Sequence, residues 1–266
     1  MERAPVGVDP GRPNSARVYD YLLGGKDNYE VDRAVAQRML SIAPDTRTLA
    51  WFSRRFLVNA VRLAAKAGVR QFVDLGAGIP TSPNVHEVAR EFDPSARVVY
   101  VDYDPVVYAH CDALLARWQG VTAMSADVRR PDDVLDRLRT EALIDFDEPI
   151  AVMLVGVLHF VMDDENPAEL VARFRDVMAP DSYLALTHGS DTSDPQLIER
   201  SSADTASSSA QVVYRSPAQM TSFLDGFEIL DPGVVPVQQW LGDNLPTTRM
   251  VIYGGVGRKN SGLHDN

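Results

Sequence analysis

The chain has 266 residues, 45% of them hydrophobic, which is enough for one substantial α/β core and too few for two large independent domains. A formal net charge of -11, with basic residues clustered no further than pairs such as Arg54-Arg55 and Arg129-Arg130, excludes a nucleic-acid footprint, which needs cations against phosphate. The single Cys111 excludes an intramolecular disulfide and suits a reducing cytoplasm. No apolar run reaches the roughly 18 residues of a membrane-spanning helix and no signal-peptide stretch opens the chain, so a soluble cytoplasmic protein is expected.

Residues 1–13, rich in Pro and Gly, are expected to be loose. Ser15 can cap a helix over residues 16–23 that stops at Gly24-Gly25, and the polar run Lys26-Asp27-Asn28-Tyr29 follows. Two readings stand for this segment. It is a surface turn, or it is a lid over a polar ligand, with Tyr19, Tyr21 and Lys26 reaching the ligand. From Thr46 to Ala67, Leu49, Phe52, Phe56, Ala60, Leu63 and Ala67 recur at helical spacing, and Gly68 provides a stop. Trp51 and Phe52 are read as core or subunit contacts, which leaves a homo-oligomer open.

The strand Gln71–Leu75 ends in Asp74, Gly76 and Gly78. Glycines there can take φ > 0 and carry no Cβ, so a ligand can approach bare backbone N–H groups. Thr81 stands where a dinucleotide-binding loop would have its third glycine, which disfavours a nicotinamide cofactor. Ser82 and Pro83 are expected to open the crossover helix. Arg97–Asp102 is an apolar strand of the kind buried on both faces, and its terminal Asp102 can accept both hydroxyls of a ribose. A third strand from Val121 ends at Asp127.

Helices near 105–118, 131–141 and 167–179 alternate with these strands, the last opened by a capping box from Asn166 to Glu169. A fourth strand over 150–158 runs into His159-Phe160, and a fifth over 183–187 ends at His188. Such alternation implies a parallel sheet with right-handed crossovers. His159 and His188 fall at its ligand-binding edge and are the candidate catalytic bases, against the alternative that they brace loops. No histidine has the spacing of a zinc site, so no metal is expected. Residues 201–210 form a low-complexity linker or flap, Ser216 to Gln219 cap another helix, and a Val-rich extended segment leads to a last strand at Met250–Tyr253.

The segment Asp74-Leu75-Gly76-Ala77-Gly78 resembles the D/E-x-G-x-G motif of class I methyltransferases, departing from it at Pro80, where many have another glycine. Together with residues 15–29, Tyr100-Val101-Asp102-Tyr103-Asp104-Pro105 and Val157-Leu158-His159-Phe160, it resembles an actinobacterial S-adenosylmethionine methyltransferase family long described as a domain of unknown function. That resemblance implies a Rossmann-like α/β fold: a mostly parallel seven-stranded sheet, helices on both faces, an antiparallel last strand and an N-terminal helical lid. It implies S-adenosylmethionine as cofactor, with S-adenosylhomocysteine as product. Asp74, Gly76 and Gly78 would lie at the methionine end, Asp102 at the ribose, and Asp127 and Val128 at the adenine, with Tyr103 and Gly156 also among the cofactor-binding residues. The expected division is a lid over 1–50, a cofactor-binding domain over 51–257 and a disordered tail over 258–266. A small-molecule acceptor follows, with no nucleic acid and no membrane; the alternative is a binding protein for S-adenosylmethionine or S-adenosylhomocysteine without catalysis.

Overall fold

The computed structural model describes residues 9, 11–115, 118–142, 144–206, 211–242 and 244–260. Five strands, β1 (Gln71–Leu75), β2 (Arg97–Asp102), β3 (Val121–Ser125), β4 (Ile150–Leu154) and β5 (Tyr183–Gly189), pair in parallel in the order β3-β2-β1-β4-β5. Two short strands, β6 (Glu228–Ile229) and β7 (Val235–Pro236), precede β8 (Ile252–Arg258). β8 runs antiparallel beside β5 and carries both short strands on its far side. Among the described residues the sheet counts eight strands, since the Asp231-Pro232-Gly233 turn divides the edge position beside β8 into two short pieces.

Every residue of β1, β4 and β5 is buried, as parallel strands covered by helices on both faces require. Side chains alternate between two cores. Phe72, Val98, Tyr100 and Met153 pack with α3 (Thr46–Lys66), whereas Val73, Leu75, Val99 and Val152 pack with α6 (Pro131–Thr140) and α7 (Pro167–Val177). Asp74 has the parity of Phe72, so its carboxylate points toward α3. The other crossovers are α4 (Val85–Ala89) and α5 (Pro105–Leu115).

Before the sheet, α1 (Ser15–Leu22) and α2 (Glu30–Ile42) join Ala50 of α3 in a small apolar cluster of Val18, Leu22 and Ala36. The cap of α1 is Asn14 rather than Ser15, since Asn14 Oδ1 accepts the Arg17 N–H at 3.1 Å. A buried ion pair ties the two helices: Arg17 Nε donates to Asp32 at 2.7 Å, and Asp32 also accepts the N–H groups of Asn14 and Tyr29.

Several local expectations are corrected. Asn84, not Ser82, caps α4, with Glu87 completing the box, and Pro83 lies before the helix. Asn166 adopts φ 51° and makes no side-chain cap, so the box expected with Glu169 is replaced by a bond from Met162 N–H to Glu165. β4 ends at Leu154 and the chain turns into a single 3-10 turn at Leu158–Phe160. Ser201–Thr205 complete α8 (Pro195–Thr205), while residues 207–210 of the expected linker lie outside the described residues. α9 (Pro217–Ser222) has the expected cap, but α10 (Val237–Leu241) interrupts the segment read as extended. The last strand lies later than expected, and Arg258 bonds Asp181 within it; of the expected tail only 261–266 lie outside the described residues. α3 also runs unbroken across residue 50, where a domain boundary was expected.

Candidate cofactor site

The strand order places a topological switch point between β1 and β4, the crevice where open α/β sheets bind ligands. Gly76 (φ 67°) and Gly78 (φ 64°) leave β1, and Gly156 (φ 76°) follows β4. Their roles differ. A Cβ on Gly76 would stand 2.5 Å from Val157 Cγ2, so that glycine is required by the close approach of the β4 loop. A Cβ on Gly78 or Gly156 would meet nothing within 4 Å, so bare backbone at both positions opens into free space.

Asp102 ends β2, and its carboxylate accepts the N–H of Gly78 at 3.0 Å and of Asp104 at 3.0 Å. Burial pushes its pKa up to about 6, a rise those hydrogen bonds limit. Asp74 is only 3% exposed and accepts no hydrogen bond among the described residues. Burial pushes it up to about 7; the Arg54 guanidinium opposes this and Asp102 adds to it. Arg54 Nε is buried without a hydrogen-bond partner among the described residues. A sulfonium amino-acid ligand, with hydroxyls for Asp102 and an amino-acid end for the corner of Asp74 and Arg54, fits these groups.

Asp127 lies two residues beyond β3. Although burial pushes the other way, bonds from Arg129 Nε (2.9 Å) and Nη2 (2.8 Å) hold its carboxyl below the usual range. The same guanidinium lies over the ring of Tyr103, 5.7 Å from its centroid, and Tyr103 is 53% exposed. Val128 packs against the α6–α7 core. An aromatic and a paired arginine thus flank the rim beyond Asp102.

α1 crosses this edge of the sheet. At one end Asn14 Nδ2 donates to Asp104 beside the β2 tip; further along, the Tyr19 hydroxyl donates to Ala50 O at 3.0 Å on α3. Burial raises the Tyr19 phenol, with Arg54 and Asp74 both close enough to act on it. Tyr21 instead faces Arg47, whose guanidinium lies 5.6 Å from its ring centroid, and Lys26 is exposed. Of the three expected lid residues, only Tyr19 is brought to Asp74.

The two histidines at the strand ends differ in their surroundings. His188 is fully buried: Nδ1–H donates to Gly189 O at 2.8 Å, and Nε2 accepts from Arg215 Nη1 at 2.8 Å. No lone pair remains for a substrate, which corrects the expectation of a catalytic role. The His159 ring is tilted 55° to that of Phe160 with centroids 4.2 Å apart, and burial, together with His188 and Arg215, lowers its pKa to about 3. It is a neutral ring and a weak base. Sequence reasoning missed Arg215, which also bonds Leu158 O, Val161 O and Asp163, and missed Arg54, Asn14 and Asp32. Nothing in the primary pattern marks Arg54, since it sits in a helix whose apolar spacing reads as complete without it.

A family model described as S-adenosyl methyltransferase matches residues 1–260. The crystal structure of a candidate methyltransferase from Thermobifida fusca is 40% identical, with 98% of this chain and 100% of that chain covered and a TM-score of 0.91. A DUF574 family protein from Streptomyces avermitilis is 34% identical, with coverage of 94% and 99% and a TM-score of 0.89. The 1,6-didemethyltoxoflavin N1-methyltransferase of Burkholderia thailandensis, solved with S-adenosylhomocysteine, shares the fold at 16% identity and a TM-score of 0.51, with 95% and 93% covered. No curated protein matches the chain. The sheet order, the glycine loop and the match over nearly the whole length make this chain a member of the S-adenosyl methyltransferase family, an S-adenosylmethionine-dependent methyltransferase.

Proposed function

We propose that the crevice between β1 and β4 holds S-adenosylmethionine and that α1 closes over it to admit a small-molecule acceptor. The observation that carries this reading is the set of groups gathered at the strand tips: open Cβ positions at Gly78 and Gly156, a buried Asp74 and a half-buried Asp102, both carboxyls with raised pKa. Asp102 receives the ribose hydroxyls, Tyr103 and Val128 border the adenine, and Asp127, braced by Arg129, takes the amino edge of the base. Gly76 keeps the loop on its path against Val157.

The bound cofactor supplies a sulfonium methyl group that an acceptor lone pair displaces in line. The chain contributes alignment and exclusion of water. With His188 fully committed and His159 neutral, the acceptor brings its own lone pair, as an amine, a thiolate or an oxygen that ionises readily. No helix among the described residues is long and apolar enough to cross a membrane, which fits a cytoplasmic enzyme, and the two similar proteins come from actinobacteria, as we propose for this chain. Calorimetric titration with S-adenosylmethionine, S-adenosylhomocysteine and NAD tests the reading. Binding of the first two without NAD supports it, and binding of NAD alone overturns it.

A further inference from the structure

Gly156 leaves β4 in a left-handed turn, and its N–H donates to Thr187 Oγ1 on β5 at 2.9 Å. Thr187 has the parity of Ala185, so its hydroxyl lies in the layer between the sheet and α3, a layer built from Phe56, Ala60, Met153 and Ala185. There it stands 3.4 Å from Ser53 Oγ, and the two residues are only 1% and 4% exposed. Burial raises the Tyr19 phenol, while Arg54 and a hydrogen bond with Ser53 oppose that rise; the phenol's own proton goes to Ala50 O, one turn back along α3. Three hydroxyls thus form a row from the turn after β4 to α1. Buried hydroxyls in an apolar layer are costly unless each is hydrogen-bonded, and one direction of donation satisfies all of them: Gly156 N–H to Thr187, Thr187 to Ser53, Ser53 to Tyr19, and Tyr19 to Ala50 O.

We propose that Thr187 and Ser53 are positioning residues that make the turn at Gly156 and the seat of α1 one cooperative unit. This rests on the reading that the crevice between β1 and β4 binds S-adenosylmethionine under α1. With α1 seated, Tyr19 takes the Ser53 proton and Ser53 takes that of Thr187, which leaves the Thr187 lone pairs fixed for Gly156 N–H. With α1 lifted, Ser53 loses that acceptor and the Thr187 hydroxyl is no longer pinned. Gly156, with no side chain to hold it, can then leave its φ of 76°. A ligand resting on this turn therefore favours the seated α1, and the seated α1 favours the turn to the same extent, because such coupling is reciprocal. The coupling requires Thr at 187. A Val there has nearly the same shape but offers no acceptor to Gly156 N–H and no proton to Ser53.

Hydrogen exchange and calorimetry on the full chain test this with Thr187→Val, Thr187→Ser and Tyr19→Phe. In the ligand-free protein Tyr19→Phe should speed exchange of the Gly156 amide about 5-fold, the worth of one hydrogen bond, although Tyr19 makes no bond to Gly156 itself. Thr187→Val should speed exchange over residues 15–23 and weaken S-adenosylhomocysteine about 10-fold, as expected when a buried N–H loses its acceptor. Thr187→Ser, which keeps the hydroxyl, should restore both. A lowered melting midpoint in Thr187→Val with affinity and exchange over 15–23 unchanged would make Thr187 a local brace and overturn the proposal. So would failure of Thr187→Ser to restore them, since the methyl group rather than the hydroxyl would then matter. Unchanged Gly156 exchange in Tyr19→Phe would overturn it as well. Should Thr187→Val not fold, Ser53→Ala cuts the same row and is read against the same outcomes. Failure of the wild type to bind S-adenosylmethionine or S-adenosylhomocysteine would instead refute the cofactor reading, and the ligand-free exchange would still decide the coupling.

Discussion

The carboxylate of Asp102 accepts the N–H of Gly78 at 3.0 Å, so the acid that ends β2 and the loop that leaves β1 are one structural unit. Removing the carboxylate therefore loosens the loop as well as the ribose site. Asp102→Ala is expected to weaken S-adenosylhomocysteine binding by about 1.5–3 kcal/mol while the fold survives. Calorimetry beside a thermal melt checks it; unchanged affinity with a lowered midpoint would leave Asp102 only a loop brace.

The two loop glycines should separate fold from binding. In Gly76→Ala the new Cβ meets Val157 Cγ2 at 2.5 Å, so stability falls first. Gly78→Ala meets no atom, and its cost is the left-handed backbone, about 1–2 kcal/mol, while the methyl projects into ligand space. Affinity for S-adenosylhomocysteine should fall more in Gly78→Ala than its stability loss explains. Similar stability and affinity losses in both variants would contradict this assignment.

Asp74 makes a pH prediction. Its pKa is raised by burial from 3.8 to about 7, so the fold holds the proton more tightly than the unfolded chain does. The resulting stabilisation is whole below about pH 4 and lost as pH rises through 7. Asp74→Asn, neutral throughout and breaking no hydrogen bond among the described residues, should be more stable than wild type at pH 8 by up to about 4 kcal/mol and no more stable near pH 4. Denaturant titrations of the ligand-free protein at the two pH values measure the difference. Saturating S-adenosylhomocysteine should erase the advantage, since its ammonium compensates the ionised carboxylate.

His188 behaves in the opposite sense. Burial lowers its pKa to about 4, below that of the unfolded chain, so its contribution is full above about pH 6.5 and is lost as pH falls toward 4. His188→Ala should cost about 2–4 kcal/mol at pH 7.5, through the cavity and the orphaned Arg215 donor. Affinity for S-adenosylhomocysteine should hardly change. A large loss of affinity at unchanged stability would put the imidazole in the site.

If α1 is a lid, its ties to Asp104 and Ala50 are the latches. Hydrogen exchange over residues 15–29 should slow on adding S-adenosylhomocysteine. Asn14→Ala, which removes both a helix cap and the Asp104 contact, should speed exchange there and cost about 1 kcal/mol of stability. Protection confined to the loops after β1 and β2 would mean that α1 merely completes the core.

The sequence by itself determined the β1–β5 order of alternation, the glycine loop, the acids at or just beyond the ends of β1, β2 and β3, and the antiparallel return. These are local signals: period, strand-end carboxylates and glycines are written in consecutive residues. It misjudged the cap at Asn14, the box at Asn166 and the bounds of β4 and β8, because several residues there could serve and only packing chooses among them. The partners of charged side chains were decided by the tertiary structure alone. Arg54, 20 positions away in sequence, acts on the charge of Asp74 across the sheet–helix interface, Arg17 closes on Asp32, and His188 is consumed by Arg215 from 27 positions away. A residue's type tells what it can bind. Which groups burial brings to it, and whether any lone pair or proton is left for a ligand, is a property of the folded interior.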